Sequence, residues 1–458
     1  MHRGNLFLCV ALLPAVLLGL SHQEAASGNN RNIKNVIVIG VDTLSARNLH
    51  FMGYDRRTTP FLDELAENSV VFENTYSPKS ITQPSFASLF TGMHPLEHGI
   101  IENGWKIPDS LHFLTEDFQS KGFRTWGIPA SQVIGGKFGM GKGFDYYANV
   151  SPVPQDAYKI IARVNRLLNN NPMLGEPSFD ESSKPLFMFI HFYDPHTEYT
   201  PNQDYLDEYR DYDYPGAVDG TWETYEKFNS GEYASKEIDV RYTWDLYDAE
   251  IRTFDDKARE LFALFDETGL LQNSLIVFTA DHGESLGEHG FFTHGYPYEG
   301  SLHIPLIMHF PGDEFGGLRI SQAVSNMDIL PTVTDILGFN AREGIQGHSL
   351  YPLLDESTSG SYTPWNELLA LGRNTPEGEK TYSIYNGVYR LIVEGEDLSL
   401  YDVVHDPDEA VNIAELHKGV VVDLNRKALS ILAAGRNSNE QQVDEQTLVM
   451  LSSLGYLH

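Results

Sequence analysis

Four short, almost unbroken apolar runs limit how this chain can fold. Residues 35–42 read N-V-I-V-I-G-V-D, 185–192 P-L-F-M-F-I-H-F, 274–280 S-L-I-V-F-T-A and 304–310 I-P-L-I-M-H-F. A strand with one wet face alternates apolar and polar residues, whereas a run without alternation suits a strand buried on both faces of a parallel sheet. Helical patterns lie between the runs. The clearest spans 240–271, where Leu246, Ile251, Phe254, Ala258, Leu261 and Leu264 recur at helical spacing. Strands alternating with helices predict an α/β fold, a central, mostly parallel sheet with helices on both faces. Ligands of such sheets sit beyond the C-terminal strand ends. Asp42, His191, Asp194 and Asp281 all fall at or just past such ends.

The chain's 458 residues allow one large α/β domain and a smaller companion. Met1-His2-Arg3, an apolar run over 6–20 and small residues at 21 and 25–28 read as a secretory signal over residues 1–27. An uncleaved anchor is the alternative, although the run is short for a membrane span. The signal reading implies a periplasmic or secreted protein with no stable membrane insertion after cleavage. The sole cysteine, Cys9, lies inside that segment, so the mature chain has no disulfide. A formal net charge of −32 repels polyanions and argues against nucleic acid as a partner. An anionic substrate would then need a local positive centre, which a bound metal provides.

The catalytic domain is expected over 33–356. A small-residue stretch at 357–363 (S-T-S-G-S-Y-T) separates it from a C-terminal subdomain and helical tail over 364–458. That subdomain should hold short antiparallel strands at 381–395 and 398–401. Residues 152–184 and 201–237 show little periodicity and read as long insertions. The second carries Tyr205, Tyr209, Tyr212, Tyr214, Tyr225 and Tyr233, which suit either a substrate lid or a solvated loop.

Three motifs carry chemistry. In T-Q-P-S-F-A-S-L-F-T-G, residues 82–92, Pro84 suits a first helical turn and Gly92 a helix stop. The Thr82 hydroxyl then sits at a helix N-terminus, where free N–H groups and the dipole favour an oxyanion. The same sequence also suits a plain N-cap threonine. Gly40-Val41-Asp42-Thr43 ends the first run, and Asp281-His282-Gly283-Glu284 follows the third. Asp42, Asp281 and His282 are the metal candidates. Two carboxylates and an imidazole suit Mn²⁺, Zn²⁺ or Mg²⁺, while an all-oxygen set suits Ca²⁺ better. His289, His294 and His303 lie nearby in sequence, and a structural role is the simpler one for His289 and His303.

Together these motifs resemble the sulfatase branch of the alkaline phosphatase superfamily, over about residues 35–354. The resemblance implies an alkaline-phosphatase-like sheet and a small antiparallel α+β C-terminal subdomain, the latter marked by Leu400-Tyr401-Asp402 and Asp406-Pro407. Thr82 stands where those enzymes carry the Cys or Ser that becomes formylglycine. Asp281-His282 replaces the commoner Asp-Asn and is similar to the phosphonate monoester hydrolases and their arylsulfatase relatives, which implies one divalent metal ion (Mn²⁺, Zn²⁺, Mg²⁺ or Ca²⁺). The resemblance further assigns His196 and His294 to substrate contact and proton donation, and Asn103 to a hydrogen bond with the transferring group. Phe86 occupies the place of an arginine that holds the anion, so the site is expected to be less positive and to favour diesters over monoesters.

An unmodified threonine serves phosphoryl transfer in the superfamily. The expectation is therefore an exported, metal-dependent hydrolase with a Thr82 nucleophile, acting on phosphodi- or monoesters of a small molecule or carbohydrate. Alternatives are a sulfuric ester hydrolase on a sulfated carbohydrate or aryl sulfate, a phospho-group transferase, and an inactive binding homologue.

Overall fold

The central sheet is built on β1 (Asn35–Val41), every residue of which is buried. A computed structural model describes residues 32–180, 184–355, 357–374 and 380–435. Contacts divide the chain into residues 1–31 and 32–458, and all described residues belong to the second unit. The signal expectation for 1–27 and the end of the helical tail lie outside the described residues.

The remaining strands of the main sheet are β2 (Val70–Tyr76), β3 (Arg124–Ile128), β4 (Tyr146–Tyr147), β5 (Leu186–Phe192), β6 (Ser274–Ala280), β7 (His303–His309) and β8 (Arg319–Ser325). Their order is β8-β2-β7-β6-β1-β5-β3-β4. β1 runs parallel to both β5 and β6, with Val41 opposite Phe192 and Ala280. That register brings three strand ends level, so Asp42 and Asp281 emerge side by side. β7 is reversed against both β2 and β6. An all-apolar run marks burial on both faces but has no direction, so the reversal of 304–310 has no signature in its composition.

Side chains of β1 alternate between two cores. Ile37, Ile39 and Val41 join one and Val36 and Val38 the other. Helix α1 (Thr82–Thr91) covers the second face through Phe86, Leu89 and Phe90. The long helix α2 (Glu237–Glu267) covers the first through Leu246, Ile251, Phe254, Ala258 and Leu261. Both insertions are more ordered than low periodicity implies. The first contains a helix, Ala157–Leu168, whose buried Ile160, Val164 and Leu167 are spaced for one face. Asp156 caps it by accepting from Lys159 N at 2.9 Å. The second carries helices Gln203–Tyr209 and Trp222–Asn229. Several of its tyrosines are turned onto α2, with Tyr212 donating to Asp245 at 2.6 Å and Tyr214 to Asp239 at 2.5 Å.

Beyond 357–363 a second sheet forms from β9 (Leu368–Leu371), β10 (Thr381–Tyr385), β11 (Tyr389–Glu394) and β12 (Asp397–Asp402), antiparallel and in sequence order. Helix α3 (Lys418–Ala434) packs on it through Val421, Leu424 and Ala428. Arg390 of β11, 1% exposed, pairs with Glu299 before β7 and with Glu409 at 2.9 Å. This buried ion cluster ties the small sheet to the large one. No helix among the described residues is long and apolar enough to cross a membrane.

Candidate active site

Asp42 leaves β1 with its N–H donated to the Phe192 carbonyl at 2.9 Å, and Asp281 leaves β6 with its N–H on the Val41 carbonyl at 3.3 Å. Helix α1 opens onto this edge. Ile81 holds the N-cap position in extended conformation, and Thr82 is the first helical residue. The Thr82 hydroxyl faces the strand ends, with Oγ1 3.5 Å from Asp42 Oδ1 and 3.4 Å from His282 Nε2. The plain N-cap reading of Thr82 is thereby set aside. The first turn of α1 is pinned twice. Gln83 N donates to Asn103 Oδ1 at 2.9 Å, and Ser85 Oγ donates to the Asp281 carbonyl at 2.6 Å while accepting from Asn326 Nδ2 at 2.7 Å.

Asp42, Asp281 and His282 are all buried, and one ligand atom from each lies within 4.8 Å of the others. A carbonyl oxygen only accepts, so the 2.9 Å contact between His282 Nδ1 and the Gly283 carbonyl places the proton on Nδ1. Nε2 then presents a lone pair toward Asp281 Oδ2 at 3.4 Å and Asp42 Oδ1 at 4.0 Å. Burial pushes the His282 imidazole down to about 3, which keeps it neutral, as a ligand must be. Asp281 Oδ1 accepts from Thr43 N at 3.1 Å and His282 N at 2.7 Å, whereas its buried Oδ2 has no hydrogen-bond partner among the described residues. Burial, and then the adjacent Asp42, push the Asp281 carboxyl well above its usual range. Two crowded carboxylates, an orphan oxygen and an imidazole lone pair gathered within 4.8 Å fit a divalent cation.

His191 has the opposite tautomer. Its Nδ1 accepts from Ala130 N at 3.2 Å, so Nε2 carries the proton and points at Asp42 Oδ2, 3.6 Å away. That separation is too long for a hydrogen bond, and the other oxygen of Asp42, Oδ1, faces Thr82.

His196 sits just past β5, its Nδ1 held by the Thr197 carbonyl and its ring stacked on Tyr193 at 4.4 Å. The His294 ring lies 5.0 Å from His196 and 4.8 Å from His282, with Nδ1 3.0 Å from Glu284 Oε1. Asn103 is 3% exposed, and its Nδ2 has no hydrogen-bond partner among the described residues. The structure thus gathers Thr82, Asp42, Asp281, His282, His196 and His294, with Asn103 beside the first turn of α1. Phe86 is placed differently. One turn along α1, its ring is fully buried against Phe189 and His191, and a Cβ on Gly40 would meet it at 2.7 Å. Position 86 therefore belongs to the core between α1 and the sheet, not to the space around Thr82. His289 stacks on Tyr298 at 4.2 Å, and His303 is held by Glu299 at 2.9 Å and the Glu73 carbonyl at 2.8 Å.

Three further residues reach this cluster. Glu284, 1% exposed, faces His294 and accepts from Tyr199 at 3.3 Å and Thr197 at 3.4 Å. Burial, and then Asp42, raise its carboxyl well above the usual range. It closes the D-H-G-E motif, so the sequence does carry a signal for it. Trp222 comes from the second insertion, its ring 6.4 Å from His196 and 5.9 Å from His294. Arg373 follows β9 and donates its N–H to the Gly295 carbonyl at 2.7 Å. No motif or periodicity marks either of these two.

Comparisons with known proteins bear on the family and the fold. The sulfatase family profile matches residues 34–339, and the profile described as N-sulphoglucosamine sulphohydrolase, C-terminal, matches residues 287–431. An arylsulfatase of Clostridium perfringens is 24% identical over 441 residues, 83% of this chain and 90% of that protein. A choline-sulfatase of Rhizobium meliloti is 26% identical over 444 residues, 84% of this chain and 83% of that protein. Among solved structures, one in complex with its substrate D-glucosamine-2-N,6-O-disulfate superposes with a TM-score of 0.71 at 20% identity, over 89% of this chain and 100% of that one. The phosphonate monoester hydrolase of Agrobacterium radiobacter superposes with a TM-score of 0.67 at 19% identity, over 87% of this chain and 95% of that one. At such identities the structures speak for the fold, and the family follows from a profile that spans well over half of the chain. This chain belongs to the sulfatase family and is an ester hydrolase.

Proposed function

We propose that this protein is an exported, metal-dependent hydrolase that uses unmodified Thr82 as its nucleophile on phosphodi- or monoesters. The observation that carries the reading is the placement of Thr82 Oγ1 within 3.5 Å of both Asp42 and His282 at the head of α1. A formylglycine enzyme releases sulfate through breakdown of a hemiacetal. Threonine bears a methyl group and a single oxygen on Cβ and has no such route, whereas a threonine ester of phosphate is opened by water.

Asp42, Asp281 and His282 would hold the divalent ion, which lowers the pKa of a nearby hydroxyl and neutralises charge on the transferring group. Thr82 Oγ1 bonds to phosphorus as the bond to the leaving oxygen breaks, and the hydroxyl proton passes to solvent. His294, backed by the Glu284 carboxyl, donates a proton to the leaving alkoxide. His196 is pushed down to about 3, chiefly by burial, so it acts as a neutral hydrogen-bonding group and not as the acid. Asn103 Nδ2, buried and without a hydrogen-bond partner among the described residues, is the donor offered to a transferring oxygen. Water then attacks phosphorus, the Thr82 oxygen departs and recovers a proton, and the product is released.

A sulfuric ester hydrolase is the second reading. It is favoured by the arylsulfatase and choline-sulfatase names of the relatives and by the sulfated glucosamine bound in the similar structure. Turnover of matched aryl sulfate, phosphate monoester, phosphate diester and phosphonate substrates, with and without added Mn²⁺, separates the two. Metal-dependent turnover of the phosphate esters is expected, and turnover of aryl sulfate alone would overturn the phosphoesterase assignment.

A further inference from the structure

The arginine that the resemblance places on α1 is replaced by Phe86, whose ring is enclosed in the core. Two cations nonetheless lie close by, Lys79 just ahead of α1 and Arg373 just past β9. Lys79, 2% exposed, donates from Nζ to the Gly372 carbonyl at 2.8 Å and lies 3.5 Å from Glu102. It braces the segment that follows β9, and the Glu102 carboxylate acts on both Lys79 and Arg373.

Arg373 is the next residue on that segment. Its backbone is fixed from both sides, N–H on the Gly295 carbonyl at 2.7 Å and carbonyl on the Thr381 hydroxyl. Gly372 lets this segment lie close to 295–297, since a Cβ there would meet Pro297 Cδ at 2.8 Å. The Arg373 side chain then crosses Gly295, where a Cβ would meet its Cδ at 2.8 Å and its Cγ and Nε at 3.1 Å. Gly295 also has φ 109°, so glycine is required there twice over. The residue before it is His294. Trp222 lies against the same histidine pair, its ring 6.4 Å from His196 at 18° and 5.9 Å from His294. The charge of Arg373 acts on His196, adding to the effect of burial in holding its imidazole down.

We propose that Arg373, delivered by the C-terminal sheet, is a specificity residue that binds an anionic substituent on the leaving group of the ester, with Trp222 as the wall against which a ring-shaped leaving group lies. The assignment of this side to the leaving group rests on His294 being the proton donor of the proposed mechanism. A guanidinium fixed by its own backbone is suited to a carboxylate, phosphate or sulfate, because its planar fork loses little freedom on pairing. In a chain of net charge −32, a local cation is also what makes a second negative charge on the substrate tolerable.

The test uses methyl 4-nitrophenyl phosphate and its analogue with a carboxylate beside the nitro group, with wild type and Arg373→Met. Wild type is expected to favour the carboxylated ester, and R373M to lower the ratio of the two kcat/KM values at least tenfold, chiefly through KM, with Arg373→Lys between. An unchanged ratio in R373M would overturn the proposal. If neither phosphodiester is turned over, the phosphoester reading has failed, and the same pair made as aryl sulfates reads the same ratio. Binding of the carboxylated nitrophenol, against 4-nitrophenol, by calorimetry on the folded proteins needs no turnover. Equal affinity of wild type and R373M for the carboxylated phenol contradicts the assignment, and a selective tenfold loss supports it.

Discussion

Ser85 Oγ donates to the main-chain carbonyl of Asp281 at 2.6 Å, joining the helix that carries Thr82 to the strand end that carries a metal-ligand candidate. Neither group touches substrate in the proposed mechanism, yet their bond sets how far the hydroxyl stands from the ligand cluster. Ser85→Ala leaves the Asp281 carbonyl and the Asn326 amide without this partner in a dry environment, at a cost of about 1–3 kcal/mol. The expected outcome is a lower melting temperature and a kcat reduced tenfold or more with metal content retained. A variant that loses stability but keeps kcat would show that the bond only holds the fold.

One divalent ion per chain is expected at Asp42, Asp281 and His282. Replacing any one of them by alanine should weaken metal binding by at least roughly tenfold to a hundredfold, since even partners behind the ligands matter on that scale. Elemental analysis of the purified protein and its variants measures this directly. Two tightly bound equivalents in wild type would mean that a second site exists.

Phe86→Arg is expected to damage stability before it changes specificity. The ring is fully buried, and an arginine there would set an unpaired charge against Phe189 and Gly40, at a cost of several kcal/mol, about 3–5 by analogy with a broken buried ion pair. Thermal unfolding reads the effect. A variant that melts like wild type and gains activity on phosphate monoesters would return position 86 to the anion's surroundings.

Stability should depend on pH through Glu250. Burial, and then the Asp194 carboxylate, push its carboxyl from 4.5 up to about 8. The folded state therefore keeps a proton that the unfolded chain releases above 4.5, so stability is greatest below that value and declines as pH rises toward 8. The slope from this one group is about 1 kcal/mol per pH unit. Denaturant unfolding at several pH values should show the decline in wild type and a flatter profile in Glu250→Gln. Identical profiles would remove Glu250 as its source.

Much of this site is legible in the sequence because each ligand candidate ends an unbroken apolar run. Asp42 and Asp281 follow β1 and β6, and parallel pairing of buried strands makes their ends level. The helix at Thr82 is announced by Pro84 and Gly92. The orientation of β7 is not legible, because His303–His309 is apolar whichever way it runs. The helix Ala157–Leu168 buries Ala157, Ile160, Val164, Leu167 and Leu168 on one face, a short helical pattern set between irregular segments in which it is easily lost. Arg373 and Trp222 join the site through tertiary contacts with Gly295, His196 and His294 that no local pattern encodes. Phe86 shows the converse limit, since a position matched by motif has its side chain's surroundings decided by packing.

The central claim is that Thr82 itself forms the covalent intermediate. Acid-quenched turnover of a phosphate ester, followed by mass analysis of the peptide containing Thr82, tests it most directly. The prediction is an unoxidised threonine that gains one phosphoryl group during turnover, with neither label nor activity in Thr82→Ala. Activity of Thr82→Ala within tenfold of wild type, or rapid turnover with the peptide never labelled, would contradict it.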